Sequence, residues 1–377
     1  MNSDILIIGG GVIGLAIARE LHKKGVDKIT VVERGQVGRE ASWAAAGILA
    51  PQAETDRLDD FYRMCSASKD LYPRLAEELL DETRIDIELD RSGTLYLAFN
   101  EEDAADIRKR FEWQKARGLE VERCSGKDSR SIEPRISERV MEGLFFPNDW
   151  QVENRKLLTG LIKYARLNEI KLIEETKVDR VLTKGGRATG IRTIDDLNFL
   201  ADVVILATGA WTALIKIGEL AVPIDVKPIR GQMICFKPRN RQFRRVIYSP
   251  RGYLVPRYDG RVLAGATVED AGFDADTTEN GITSLRAVAS EIAPGLADLE
   301  TADKWAGLRP FAADGRPVIG GFSPVDNLFV ATGHYRNGIL LAPFTAKVIA
   351  DLVTENRISE FLPSFSPQRF RFAGSGR

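Results

Sequence analysis

Two arginines and one tyrosine stand where a strand or a turn ends, and their side chains suit the binding of a carboxylate. Arg336 lies in Gly-His-Tyr-Arg-Asn-Gly, Arg309 in Gly-Leu-Arg-Pro and Tyr253 in Gly-Tyr-Leu-Val-Pro. A guanidinium holds a carboxylate through two parallel hydrogen bonds, and a tyrosine hydroxyl can donate another. The alternatives are surface ion pairs for the arginines and core packing for Tyr253. Together the three predict a site for a small carboxylate ligand.

A second candidate site opens the chain. The apolar run 5–8 predicts a buried parallel strand, and Gly9, Gly11 and Gly14 follow it in G-x-G-x-x-G spacing. Such glycines allow the tight turn, the approach of a pyrophosphate and close helix packing. A helix begins behind them, so its N-terminal N–H groups face the phosphates.

The second apolar run ends on Glu33, which is placed to accept hydrogen bonds from a ribose. An acid at this point disfavours a 2′-phosphate on that ribose. The segment therefore predicts a dinucleotide site rather than an empty structural turn. The fingerprint by itself does not separate FAD from NAD.

Length and composition limit the number of domains, the kinds of partner and the location that this protein can have. A chain of 377 residues predicts two domains. Lys plus Arg (53) balance Asp plus Glu (54), which disfavours a nucleic-acid partner. Cys65, Cys124 and Cys235 are odd in number and far apart, which predicts free thiols and no metal site. Without a basic leader or an apolar run approaching the length of a membrane span, a cytoplasmic protein is expected.

Further elements must carry the candidate residues to one place. A buried strand from residue 201 ends at Gly209 and is predicted to lie parallel to the first strand, which brings Gly209 near the ligand. A third buried strand from residue 327 ends at Gly333, and an apolar helix over 339–353 follows. Helices are also predicted over 57–82 and 283–292.

The middle of the chain has a different pattern. Residues 178–182 and 188–193 flank Gly185-Gly186 and predict a hairpin. From Val222 to Ala266 alternating, β-rich segments predict an antiparallel sheet with one face toward the active site. The dinucleotide-binding domain is therefore predicted to be discontinuous, with the second domain built from insertions.

The chain resembles the D-amino-acid oxidase family of FAD-dependent oxidoreductases, and within it the glycine oxidase branch of the thiamine-biosynthesis type. The resemblance spans residues 4 to about 352. It is carried by the glycine fingerprint, by Ala-Ala-Ala-Gly-Ile-Leu-Ala at 44–50, by Trp-Ala-Gly-Leu-Arg-Pro at 305–310, and by Gly-His-Tyr-Arg-Asn-Gly-Ile-Leu-Leu-Ala-Pro at 333–343.

The resemblance implies an α/β fold with two domains. A Rossmann-like FAD-binding domain of the glutathione-reductase type is expected over 1–85, 148–217 and 311–377. A substrate-binding α+β domain with an antiparallel sheet is expected over 86–147 and 218–310.

The resemblance also implies site residues. Arg336 is expected to clamp the substrate carboxylate as the principal anchor, with Arg309 and Tyr253 beside it. The expected FAD-binding residues are Gly9, Gly11, Val12, Ile13, Gly14, Glu33, Arg34, Ser42, Ala46, Gly47, Ile48, Val178, Gly209, Gly333, His334, Tyr335, Asn337, Gly338, Ile339 and Leu340.

The expected reaction is oxidative deamination of glycine, sarcosine or short D-amino acids by hydride transfer to flavin N5, with molecular oxygen as the second substrate. His334 is expected to belong to the flavin loop rather than to act as a base. Ile48 replaces the methionine of glycine oxidases, so the pocket size is open. The absence of a cysteine after Cys235 implies non-covalent FAD, and a homodimer or homotetramer is open.

Two other functions remain open at this point. One is a dehydrogenase of the same fold that passes electrons to a carrier other than oxygen. The other is a non-catalytic flavin-binding protein. Oxygen consumption with an amino acid separates the first from an oxidase, and anaerobic bleaching of the flavin by an amine separates the second.

Overall fold

The computed structural model describes residues 2–221, 224–323 and 325–370. Val222, where the β-rich region is predicted to begin, and residues 371–377, at the end of the last predicted FAD-binding segment, lie outside the described residues.

The described strands, in chain order, are β1 (Asn2–Ile8), β2 (Ile29–Val32), β3 (Ile48–Leu49), β4 (Thr94–Ala98), β5 (Glu122–Ser125), β6 (Glu142–Phe146), β7 (Trp150–Gln151), β8 (Lys171–Ile173), β9 (Val178–Lys184), β10 (Arg187–Thr193), β11 (Asn198–Leu206), β12 (Lys216–Ile217), β13 (Leu220–Ala221), β14 (Val226–Phe236), β15 (Val246–Ser249), β16 (Gly252–Pro256), β17 (Val262–Gly265), β18 (Thr301–Ala312), β19 (Val318–Gly321) and β20 (Leu328–Thr332).

The described α-helices are α1 (Val12–Lys23), α2 (Ala41–Ala44), α3 (Asp60–Asp70), α4 (Tyr72–Thr83), α5 (Glu101–Ala116), α6 (Gly126–Ile132), α7 (Asn154–Leu167), α8 (Glu279–Ile292), α9 (Gly338–Glu355) and α10 (Leu362–Phe365). Short 3-10 turns are formed by Gly209–Leu214, Pro294–Leu296, Tyr335–Asn337 and Pro367–Arg369.

The first sheet has the order β13-β12-β9-β10-β11-β1-β2-β8, with β20 joined to β11 and β19 joined to β20. Strand β1 lies between β2 and β11 and is parallel to both, and β20 is parallel to β11. The predicted parallel pairing of the strand that precedes Gly209 is therefore confirmed. Because parallel strands end at the same edge of a sheet, the turns after β1, β11 and β20 meet there.

The second sheet has the order β18-β14-β17-β16-β15-β4-β6-β5 and joins strands from two distant parts of the chain. Its pairs are antiparallel except β4 with β15, which are parallel. No hairpin connects β4 to β15, so the chain does not force them to be antiparallel. This sheet membership supports the predicted division into two discontinuous domains, whose boundaries stay a prediction.

Helix α9 packs against α1 and α3 beneath the first sheet. Pro343 lies inside α9 and has no N–H to give to the carbonyl of Ile339, four residues earlier. The buried Tyr72 hydroxyl donates to that carbonyl instead, and the Ser68 Oγ donates to Leu340 O at 2.6 Å. The start of α9 is thereby fixed where it faces the edge of the sheet.

The expectation that no apolar run approaches the length of a membrane span needs correction. By length and composition alone, the helical stretch Tyr335–Glu355 is long and apolar enough to cross a membrane. Just over half of its apolar window (56%) is buried inside the protein, against α1 and α3, so it is a core helix of this fold.

The predicted helix over 57–82 is in fact two helices. Asp59 caps α3 by accepting from the N–H groups of Phe61 (3.0 Å) and Tyr62 (3.1 Å). Pro73 lies in the first turn of α4, where a missing N–H is tolerated, so a new helix begins there rather than continuing α3. The helix predicted over 283–292 begins earlier, at Glu279, because Thr278 caps it.

Candidate active site

One cavity of about 770 Å³ opens between the edge of the first sheet and a face of the second. Most residues predicted from the sequence line it: Gly9, Gly11, Val12, Ile13, Glu33, Arg34, Ser42, Ala46, Gly47, Ile48, Val178, Gly209, Tyr253, Arg309, His334, Tyr335, Arg336, Gly338 and Ile339. Gly14, Gly333, Asn337 and Leu340 are not among the residues that line this cavity in the described part of the chain.

The glycine turn after β1 has no room for side chains. Gly9 has φ of +109°, and a Cβ there would lie 2.3 Å from Ala207 O. A Cβ on Gly14 would lie 2.0 Å from Gly9 O. Gly14 therefore acts behind the cavity by letting α1 begin against the turn, while Gly9 and Gly11 leave backbone exposed to a ligand.

Glu33 is buried at the end of β2 and holds this turn in shape. Its Oε2 accepts from Gly10 N at 2.7 Å and its Oε1 from Gly35 N at 3.1 Å. A carboxylate offers about four acceptor positions, so both oxygens can still accept a ribose hydroxyl. Next to it, the Arg34 guanidinium stacks on the Trp211 ring at 4.4 Å and covers the same end of the cavity.

The loop of small residues after Glu40 forms the wall between the two sheets. The Ser42 Oγ accepts from Val12 N at 3.0 Å, which joins the loop to the start of α1. Gly47 has φ of +72°, and a Cβ there would lie 2.0 Å from Val152 O. The loop therefore packs tightly against Val152 on one side and presents residues 44–48 to the cavity on the other.

His334 is buried beside the cavity, and its Nε2 lies 3.0 Å from Thr345 Oγ1. Burial lowers the pKa of His334 to about 3, so the imidazole is neutral at physiological pH. This environment favours the predicted place of His334 in the cofactor loop over a role as a base, which stays a prediction.

Arg309 presents its guanidinium to the cavity from β18. It lies over Gly231 of the neighbouring strand, where a Cβ would come within 2.2 Å of Arg309 Cζ. Its Nη1 donates to Thr267 O at 3.0 Å and to Arg230 O at 3.4 Å. Among the described residues no carboxylate pairs with Arg309, so it is held in place and its charge remains uncompensated.

Tyr253 lies beside both arginines. Its hydroxyl donates to Met233 Sδ at 3.5 Å, a weak bond, and burial raises the pKa of Tyr253 even though Arg309 and Arg336 act to lower it. The hydroxyl therefore stays protonated and can donate to a ligand.

Arg336 has a partner that sequence reasoning missed. Its Nη2 lies 3.2 Å from Glu54 Oε1, and the same oxygen accepts from the Tyr248 hydroxyl at 2.7 Å. Glu54 is the main cause of a raised pKa for Arg336. Because Glu54 partly neutralises Arg336, this pairing favours Arg309 over Arg336 as the principal carboxylate anchor, and the role of Arg336 stays a prediction.

Different signals were available for the two missed residues. Tyr248 pairs in register with Tyr253 on one side and with Tyr96 on the other, so the three tyrosines lie in a row across the sheet. That row follows from strand alternation once the register is known. Glu54 lies in an irregular loop with no motif, and nothing in its sequence surroundings points to Arg336.

The loop that carries Glu54 is fixed by a buried carboxylate. Asp149, fully buried, accepts from Gln52 N at 3.1 Å and from Ala53 N at 2.7 Å. Burial raises the pKa of Asp149 to about 7. Arg110 holds the loop from another direction, because its Nη1 donates to Ala53 O at 2.9 Å and to Thr55 O at 2.6 Å.

The cavity suits FAD together with a small ligand. Its cofactor half offers close backbone approach at Gly9 and Gly11, the N-terminus of α1 for phosphates and the acceptors of Glu33 for a ribose. Among the described residues, no group of His, Cys, Asp and Glu is arranged to hold a metal ion.

Comparison with known proteins agrees with this arrangement. The family model described as FAD dependent oxidoreductase (DAO) matches residues 4–352. The chain is 35% identical to "Glycine oxidase" of Pseudomonas aeruginosa over 94% of this chain and 95% of that protein. The crystal structure of glycine oxidase from Geobacillus kaustophilus superposes with a TM-score of 0.92 at 33% identity, covering 98% of this chain and 100% of that one.

A longer relative is also similar. The "Bifunctional protein ThiO/ThiG" of Synechocystis sp. is 38% identical over 98% of this chain, and the match spans about half (54%) of that protein. The fold, the glycine turn after β1 and the matches over nearly the whole chain show that the chain belongs to the DAO family of FAD-dependent oxidoreductases and is an FAD-dependent amino-acid oxidoreductase.

Proposed function

We propose that this protein is an oxidase of small amino acids, acting on glycine, sarcosine and short D-amino acids. The proposal rests on the Arg309 guanidinium, which has no carboxylate partner among the described residues and lies beside the Tyr253 hydroxyl. Both line the same cavity as the glycine turn after β1. A fixed cation with a hydrogen-bond donor next to it matches a carboxylate. The printed names of the glycine oxidase relatives support the same substrate class.

The residues act by binding and orientation. The substrate carboxylate is held by Arg309, by Tyr253 and by the N–H donors of Arg336 that do not contact Glu54. This fixes the direction in which the Cα–H bond of the substrate points. When bound, FAD supplies the two-electron acceptor that takes hydride from Cα and is reoxidised by oxygen with formation of hydrogen peroxide. The amine must be neutral for this step, so the rate should rise with pH. Water then hydrolyses the imino acid to a 2-oxo acid and ammonia.

Non-covalent attachment of FAD is part of the proposal. Cys65, Cys124 and Cys235 are all buried, and none is among the described residues that line the cavity. We expect acid precipitation of the purified protein to release the flavin into the supernatant. Flavin that stays with the pellet would contradict this expectation.

The substrate panel tests the activity itself. Glycine, sarcosine, D-alanine, L-alanine and D-phenylalanine are compared by peroxide release. We expect the small substrates to be best and D-alanine to exceed L-alanine, because a fixed carboxylate and a fixed Cα–H direct the side chain of only one enantiomer into the pocket. Ile48 lines the cavity, so preference for D-phenylalanine would overturn the small-pocket assignment alone.

The other outcomes separate the alternatives. Flavin that an amino acid bleaches under anaerobic conditions, without peroxide release in air, would identify a dehydrogenase that uses another carrier. Flavin that no amine bleaches would identify a non-catalytic flavin-binding protein. A role in thiamine biosynthesis, a cytoplasmic location and a homodimer or homotetramer belong to the proposal as predictions.

A further inference from the structure

The arginines around Tyr253 are unequally compensated. Arg251 pairs with Asp103 at 2.9 Å and with Glu291 at 2.6 Å. Arg336 pairs with Glu54 at 3.2 Å. Arg309 has no carboxylate partner among the described residues. This part of the cavity therefore carries one uncompensated positive charge, which is the charge that one carboxylate neutralises.

We infer that Glu54 is a specificity-determining residue that restricts the site to substrates with a single carboxylate. The inference rests on the proposed function and adds to it, because it names the charge class of the substrate. Glu54 neutralises the second arginine of the site. A substrate with a second carboxylate would have to place that group near Arg336, where the carboxylate of Glu54 already lies.

The position of Glu54 argues for a fixed counter-ion rather than one that a ligand displaces. Asp149 and Arg110 hold the backbone on both sides of it through hydrogen bonds to residues 52, 53 and 55. Its Oε1 also accepts from the buried Tyr248 hydroxyl at 2.7 Å. Moving Glu54 away would break that bond and leave a buried hydroxyl without its acceptor.

The contact between Glu54 and Arg336 is a single one, so Arg336 keeps other donors for a ligand. A neutral group near Arg336 is tolerated because it adds no charge. A second carboxylate is disfavoured because two negative charges at close range in a partly buried site repel each other. The effect of Glu54 is therefore on the charge of the substrate and not on its size.

The test compares substrates of equal shape and different charge. D-aspartate and D-asparagine are nearly isosteric, so the ratio of their kcat/KM values reports the cost of the second carboxylate. In Glu54→Gln this ratio should rise about tenfold or more over that of the wild type, which corresponds to about 1.4 kcal/mol. Glu54→Asp keeps the charge and is the matched control, with a ratio close to that of the wild type. An unchanged ratio in Glu54→Gln would overturn the inference.

A binding measurement separates this inference from the proposed function. Malonate and its monoamide, malonamate, are titrated calorimetrically into the FAD-loaded wild type and Glu54→Gln. Malonate should gain about tenfold or more in affinity relative to malonamate in the variant, and no relative gain would overturn the inference. If the wild type oxidises no amino acid, the proposed function fails while this measurement still decides the role of Glu54. A purely structural role would weaken both ligands alike.

Discussion

Replacement of Arg309 by alanine is expected to lower kcat/KM for the best small amino acid by about 100-fold or more, with flavin content unchanged. Truncating one partner of a buried, hydrogen-bonded charge pair costs about 2–5 kcal/mol. Arg309 does not belong to the glycine turn after β1, so the cofactor should remain bound. Arg309→Lys should restore only part of the loss, because a point charge cannot replace the planar fork.

Arg336→Ala provides the comparison that ranks the two arginines. We expect a loss of about tenfold or more, because the substrate loses donors and the charge of Glu54 becomes uncompensated near its carboxylate. The double variant Arg336→Ala/Glu54→Gln should therefore recover part of that loss. The double variant Arg309→Ala/Glu54→Gln should recover little, because Arg309 has no acid to leave behind.

Steady-state kinetics on these five variants, with flavin absorbance as the control for cofactor content, decides the ranking of the two arginines. If Arg336→Ala is the more damaging single change and Glu54→Gln does not relieve it, Arg336 is the principal anchor, as the sequence indicated. If neither single change alters kcat/KM, the carboxylate assignment is wrong for both.

The elements that position the cofactor could be predicted because their signals are local. A short apolar run, spaced glycines and a helical repeat lie within the first thirty residues, and each is a direct consequence of backbone geometry. The same logic placed Gly209 near the ligand, because a buried strand beside a parallel neighbour must end at the same edge.

The electrostatics of the substrate side could not be predicted from the sequence, because they depend on contacts between distant segments. Glu54 and Arg336 are 282 positions apart and meet only through the packing of an irregular loop. The family resemblance made Arg336 the expected principal anchor, and its position after a buried strand agreed with that expectation. In the structure Arg336 is paired with Glu54, whereas Arg309 has no carboxylate partner among the described residues. We therefore propose Arg309 as the principal anchor, and the assignment of Arg336 stays a prediction.

The break in the predicted helix over 57–82 has a related cause. Apolar periodicity continues through Leu71, so the pattern predicts one helix. Pro73 is compatible with the first turn of a helix and incompatible with the middle of one. The direction in which the second helix leaves is then set by packing, including the bond from Tyr72 to the carbonyl of Ile339.

Gly14→Ala is expected to reduce FAD affinity by about tenfold or more and to lower the thermal midpoint of the protein. The added Cβ would lie 2.0 Å from Gly9 O, a backbone atom of the turn that joins β1 to α1. Such a contact is relieved only by moving the helix start or the turn, and overpacking of this kind costs about 1–3 kcal/mol. Either movement displaces the N–H groups that face the phosphates.

Gly35→Ala is the matched control. Gly35 lies close to the same glycine turn, and nothing lies within 4 Å of a Cβ at that position. The ratio of flavin to protein after purification, the Kd on reconstitution and the circular dichroism spectrum are measured for both variants. A Gly14→Ala protein that is folded and binds FAD as tightly as the Gly35→Ala protein would show that the close packing of turn and helix does not set cofactor affinity.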